Sequence, residues 1–132
     1  EPKGAAAAYR EYLDDAPDDA AAMRSLAIAL LDLRRFDESV AVMVMAYEKQ
    51  PRLARTPIDP GFFDGPSAIR RRVNAAVTYA NRVDSGSSWL LVAALMQCEG
   101  RDDVAMKMIE RAREGGLDSN VADEFDAVLK TN

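Results

Sequence analysis

Glu99, Asp102 and Asp103 flank one turn, and two carboxyl groups facing each other across a cleft can supply the acid and base of glycoside hydrolysis. The same residue types also cap helices. Asp14-Asp15 and Asp18-Asp19 flank an equivalent turn, a recurrence that favours capping over catalysis. Those four aspartates lack the alternating ligands and the glycine of a calcium loop. The chain has no histidine and a single cysteine, Cys98. Ser-His-Asp and Cys-His nucleophiles, imidazole metal sites, intrachain disulfides and multi-cysteine zinc sites are thereby excluded. Cys98 itself reads as a small packed hydrophobe. Arg70-Arg71-Arg72 is the one basic cluster. Three consecutive helical residues spread around the helix, so pairing with acidic neighbours such as Asp64 is expected rather than one flat phosphate-binding patch. No catalytic residue, metal site or cofactor is assigned, and the chain is read as a non-enzyme.

The elements that position these groups must come from a chain of 132 residues, 48% of them hydrophobic, which suffices for one compact core. Seventeen basic against 22 acidic residues leave a net charge of −5, which disfavours a general nucleic-acid or anionic-membrane surface. The longest apolar run, Trp89 to Met96, is too short to insert across a bilayer and is read as part of an amphipathic pattern. The excess of Arg over Lys and the abundance of Ala suggest a bacterial source. The first residue is Glu1 rather than Met, which suggests a trimmed chain and leaves the compartment, cytoplasmic or exported, unassigned.

Apolar periodicity predicts seven helical segments and no strand. The first runs from about Gly4 to Asp14, and the second is capped by Asp18 or Asp19 and runs to about Leu33, with Arg34-Arg35 in its last turn. The third begins at Asp37 and ends at Pro51. Four prolines between Pro51 and Pro66 make a long helix there improbable. Ile58, Phe62 and Phe63 are nevertheless too apolar for a free linker, so this stretch is either a loop pinned to the helices or a lid over a groove. The fourth segment covers about Ser67 to Val83, the fifth Ser88 to Glu99. The sixth opens at Asp102 or Asp103 and ends at Gly115-Gly116, and the seventh covers Ser119 to Leu129.

Five of these segments carry a spaced pattern. Met23-x2-Leu26-Ala27-x2-Leu30 is followed by Ser39-x3-Met43 and Pro51, and Ala5-x3-Tyr9 with Pro17 repeats its second half. The differences 51 − 17 and 43 − 9 both equal 34, the period of tetratricopeptide repeats, which this region resembles. Trp89-x2-Val92-Ala93-x2-Met96 with Ala105-x3-Ile109 and Ala112 resembles a further repeat. Here 109 − 43 = 66, two residues short of two periods.

The resemblance implies an all-α fold, a right-handed α-α superhelix: a tetratricopeptide-like solenoid of about seven helices. Residues 1–132 would form a single domain. It comprises a half repeat at 5–17, a repeat at 19–53, a loop plus extra helix at 54–84, a repeat at 86–118 and a capping helix at 119–132. Strict alternation would instead pair the fourth and fifth segments. The family typically binds peptides on the concave face lined by first helices, which carries over here to Arg24, Ile28, Leu31, Leu90, Ala94 and Gln97, beside Ala21 and Ser87. Ile28 and Leu91 stand where the asparagines of a carboxylate clamp would sit, so that subclass is not expected. The implied function is non-catalytic protein–protein interaction, as a scaffold or adaptor binding a peptide or partner helix. Structural self-association through the same face and a carboxylate-dependent hydrolase are the competing readings.

Overall fold

The computed structural model describes residues 2–130, with side chains from residue 4 onwards. The chain is all-α, with seven α-helices among the described residues: α1 Pro2–Asp15, α2 Ala20–Asp32, α3 Phe36–Lys49, α4 Pro66–Val83, α5 Gly86–Cys98, α6 Asp102–Glu114 and α7 Ser119–Leu129. Two short 3-10 turns, Pro51–Arg55 and Pro60–Phe62, interrupt the long connection between α3 and α4. None of these helices is long and apolar enough to cross a membrane.

Packing largely follows chain order: α1 on α2, α2 with α3, α4 on α5, α5 with α6, and α6 on α7. The strongest pairings are the α2–α3 and α5–α6 hairpins, which stack through α3 and α5. Apart from that stacking, the contacts of α7 depart from chain order. Helix α7 reaches back to the Pro51–Arg55 turn and to α3, where Phe125 packs against Tyr47 with ring centroids 5.1 Å apart. A linear solenoid touches only adjacent repeats, so this return gives the domain a closed end.

The two hairpins turn in the same way. In the first, Arg35 N–H donates to Leu30 C=O and Arg34 N–H to Leu31 C=O; in the second, Arg101 donates to Met96 and Gly100 to Gln97. Such bonds satisfy the carbonyls that a helix end leaves over, and they need a left-handed residue just past the helix. That residue is Gly100 (φ 79°) in one hairpin and Arg34 (φ 60°) in the other. Arg34 therefore lies beyond α2, which ends at Asp32, rather than in its last turn. Because a side chain destabilises this conformation by about 1 kcal/mol, Arg34→Gly should raise the unfolding midpoint in urea. A lower midpoint would show that the Arg34 side chain contributes to the fold.

Start signals agree unevenly with the sequence. Asp19 caps α2 by accepting from Ala22 N–H at 3.0 Å, whereas Asp102 and Asp103 sit inside the first turn of α6, after Arg101. Helix α5 begins earlier than its apolar pattern, at Gly86, because Ser85 and Ser88 form a reciprocal capping box. Its character also differs from the amphipathic expectation. Every residue from Ser88 to Cys98 is buried, so α5 is the central helix with neighbours on all sides. A single large core surrounds it. A satellite cluster of Ala6, Leu26, Ala29 and Leu30 lies under α1.

Candidate functional site

The predicted first-helix face belongs to α2 and α5, and in the fold it is covered. Ile28, Leu31, Leu90, Ala94 and Gln97 are exposed by only 1, 3, 0, 0 and 4%. Arg24 is half-buried. The face, expected either as an open apolar groove or as one covered by the fourth segment or the 54–65 loop, is buried at Ile28, Leu31, Leu90, Ala94 and Gln97, which are core rather than partner surface. Helix α4 packs on α5, and the connection between α3 and α4 is hydrogen-bonded to Arg24 and Gln97 of this face.

That connection lies against the face as a ligand would. Arg24 Nη1 donates to the Leu53 carbonyl at 3.2 Å and to the Tyr47 hydroxyl at 3.2 Å, and its guanidinium lies 5.7 Å from the Tyr47 ring centre. Gln97 Nε2 donates to the Ala54 carbonyl at 2.8 Å. Its Oε1 is buried and has no hydrogen-bond partner among the described residues. Leu53, Ala54, Ile58 and Phe63 are buried, while Phe62 is 45% exposed. The stretch is therefore pinned, by Phe63 and the aliphatic residues rather than by both phenylalanines.

Arg72 is the outer fastening. It makes a two-point ion pair with Asp32 at the end of α2 (Nε–Oδ1 2.7 Å, Nη2–Oδ2 3.1 Å), and lies 5.0 Å from the Phe63 ring centre. Lysine can supply neither the fork nor the flat stacking surface. Arg72→Lys should destabilise the fold by about 1 kcal/mol, given the partial exposure of the pair. It should also speed proteolysis within residues 51–65. An unchanged cleavage rate there would show that the loop holds without Arg72.

The groups that could do chemistry are engaged elsewhere. Glu99 is paired with Arg70 at 3.0 Å and lies 3.7 Å from Arg101, an arrangement unlike two carboxylates across a cleft. Asp103 accepts from the Val104 amide. Asp18 pairs with Lys49, and Asp19 accepts from the Tyr12 hydroxyl, contacts that hold both carboxyls below their usual range. Arg70 and Arg72 thus pair with Glu99 and Asp32, not with Asp64 as expected. Burial, reinforced by the neighbouring Glu99 charge, pushes the Cys98 thiol up to about 11, so it is protonated and weakly nucleophilic at neutral pH. Among the described residues no cluster of three or more His, Cys, Asp or Glu side chains is placed to hold a metal ion.

The fold and these contacts define a class, an all-α helical domain whose inner face is filled by its own chain. No family model, curated protein or solved structure matches the chain.

Proposed function

We propose that this chain is a non-catalytic protein–protein interaction module, a tetratricopeptide-like scaffold or adaptor that uses its first-helix face internally and meets partners through its outer surface. One observation carries the reading. Arg24 and Gln97, two residues expected to read a peptide, each donate to a main-chain carbonyl of the 51–55 segment. Side chains that hold backbone carbonyls recognise a peptide irrespective of its sequence, as peptide-binding surfaces do. Two hairpins sharing one turn geometry support the right-handed superhelical arrangement, and the engagement of Glu99 by arginines weighs against the hydrolase.

The test is co-purification with the tagged chain, followed by reconstitution of each captured pair from purified components. A stoichiometric complex in light scattering is expected. A chain that forms no such complex and dimerises with itself at micromolar concentration would replace the adaptor by a self-association domain.

A further inference from the structure

Ion pairing leaves an uneven remainder of positive charge. Of the three consecutive arginines, Arg70 is held by Glu99 and Arg72 by Asp32, while Arg71 is exposed and forms no ion pair or hydrogen bond among the described residues. Arg71 lines a groove between α4 and the α2–α3 corner. The groove consists of two adjoining hollows of about 250 and 370 Å³, sharing Arg34, Phe36 and Arg71. The Arg34 side chain is likewise exposed and in no ion pair among the described residues, and Arg82, at the far end, stacks on Tyr79 with 5.4 Å to the ring centre. Phe36 and Tyr79 are themselves stacked, 5.3 Å apart and 16° from parallel; Tyr79 is buried, so the half-buried Phe36 is the aromatic surface that the groove presents.

The local acids neutralise only part of this charge. Both Asp32 oxygens face Arg72, and Asp37 accepts the Tyr79 hydroxyl. Three arginines against one carboxylate outside an ion pair, Asp37, leave the groove net positive on a chain of net charge −5. Helix dipoles account for Arg82, in the last turn of α4, but not for Arg71, which lies nearer the end where cations are disfavoured. Arg34 occupies a left-handed position where the equivalent turn has Gly100. The turn after α6 repeats this geometry with Gly116, so of the three matching turns only the one at Arg34 carries a side chain in the strained position.

We propose that this groove docks a short acidic peptide segment of a partner protein, with carboxylates paired to Arg34 and Arg71 and an apolar side chain against Phe36. The proposal rests on the interaction-module reading above and names its surface and partner chemistry. A nucleic acid fits less well. Its phosphates continue past the groove onto an acidic protein, whereas a peptide bearing two or three carboxylates ends within it.

The experiment is fluorescence anisotropy of the purified chain with labelled peptides of alternating Glu and Ala around one Phe, the same peptide with Lys for Glu, and a neutral apolar peptide. An oligothymidylate of matching length is the fourth probe. The acidic peptide should bind preferentially, and its affinity should drop about tenfold between low salt and a few hundred millimolar NaCl. Arg71→Glu and Arg34→Gly should each weaken it about tenfold. Circular dichroism and urea midpoints should meanwhile show both variants folded, with Arg34→Gly at least as stable as the wild type. Equal binding of the Glu and Lys peptides, tighter binding of the oligothymidylate, or full affinity in both variants would overturn the proposal. If only the apolar or Lys peptide binds, the groove assignment fails while the interaction-module reading stands. If no probe binds and co-purification yields no stoichiometric complex, both fail.

Discussion

Leu90→Asp should abolish the cooperative unfolding transition of this chain. Leu90 is 0% exposed, on a helix buried on all sides. Removing a buried leucine destabilises by about 2–5 kcal/mol. Leaving an unpaired carboxylate in its place adds several more, unless the group takes up a proton. Together these approach or exceed the roughly 5–15 kcal/mol that a domain has in total. An open first-helix face would predict the opposite, since an exposed charge substitution changes stability by about 0.5 kcal/mol or less. Ala21→Asp, at an exposed position of α2, is the matched control. Thermal and urea melts followed by circular dichroism decide the matter: a Leu90→Asp transition within a few degrees of wild type would mean that the face is accessible after all. Lost partner binding in that variant would therefore report unfolding, not a binding site.

Gly115→Ala has the second large effect, for a different reason. A Cβ on Gly115 would lie 2.6 Å from the Gly86 nitrogen and 3.0 Å from its Cα, and one on Gly86 would meet Ala112 O and Leu117 N at 2.8 Å. All of these are backbone atoms, which cannot swing aside as a side chain can. Gly86 N–H also donates to Gly115 C=O at 3.2 Å, so the start of α5 and the α6–α7 corner touch main chain to main chain. Gly115 has φ −83°, a value any residue adopts, so the whole penalty is steric. We expect about 3 kcal/mol of destabilisation, a fall in melting temperature of about 10 °C. Gly116→Ala separates the two causes. Its Cβ would meet nothing within 4 Å, but φ is 99°, so only the conformational cost of about 1–2 kcal/mol applies. Equal effects at the two positions would argue against the close approach.

The helices were legible because their information is local. Each of the seven predicted segments corresponds to an observed helix, and Asp19 caps α2 as its position suggests. Boundaries slipped where a cap or turn depended on geometry, as at Ser85 and Arg34. Helix α5 was misjudged despite a visible signal. The unbroken apolar run from Trp89 to Met96 has no polar stripe, which marks a helix surrounded by protein. Carrying the family's binding face over by position placed Leu90 and Ala94 on the surface against that signal. The arginines show the other limit. Their presence at 70–72 is plain, but which one stays unpaired depends on Glu99 and Asp32, brought close only by packing.

By itself the sequence determined an all-α chain, its helix order, and the absence of histidine and of paired cysteines that narrows its chemistry. Hydrophobic period, caps and composition act over a few residues, so they can be read without a fold. Tertiary structure alone decided that residues 51–65 cover the face of α2 and α5, that α7 returns to α3, and that Arg34, Arg71 and Arg82 share a groove. These depend on contacts between residues far apart in the chain. Apolar spacing shows that a face will be buried but not what will bury it, because a loop, a helix and a partner remove the same surface from water.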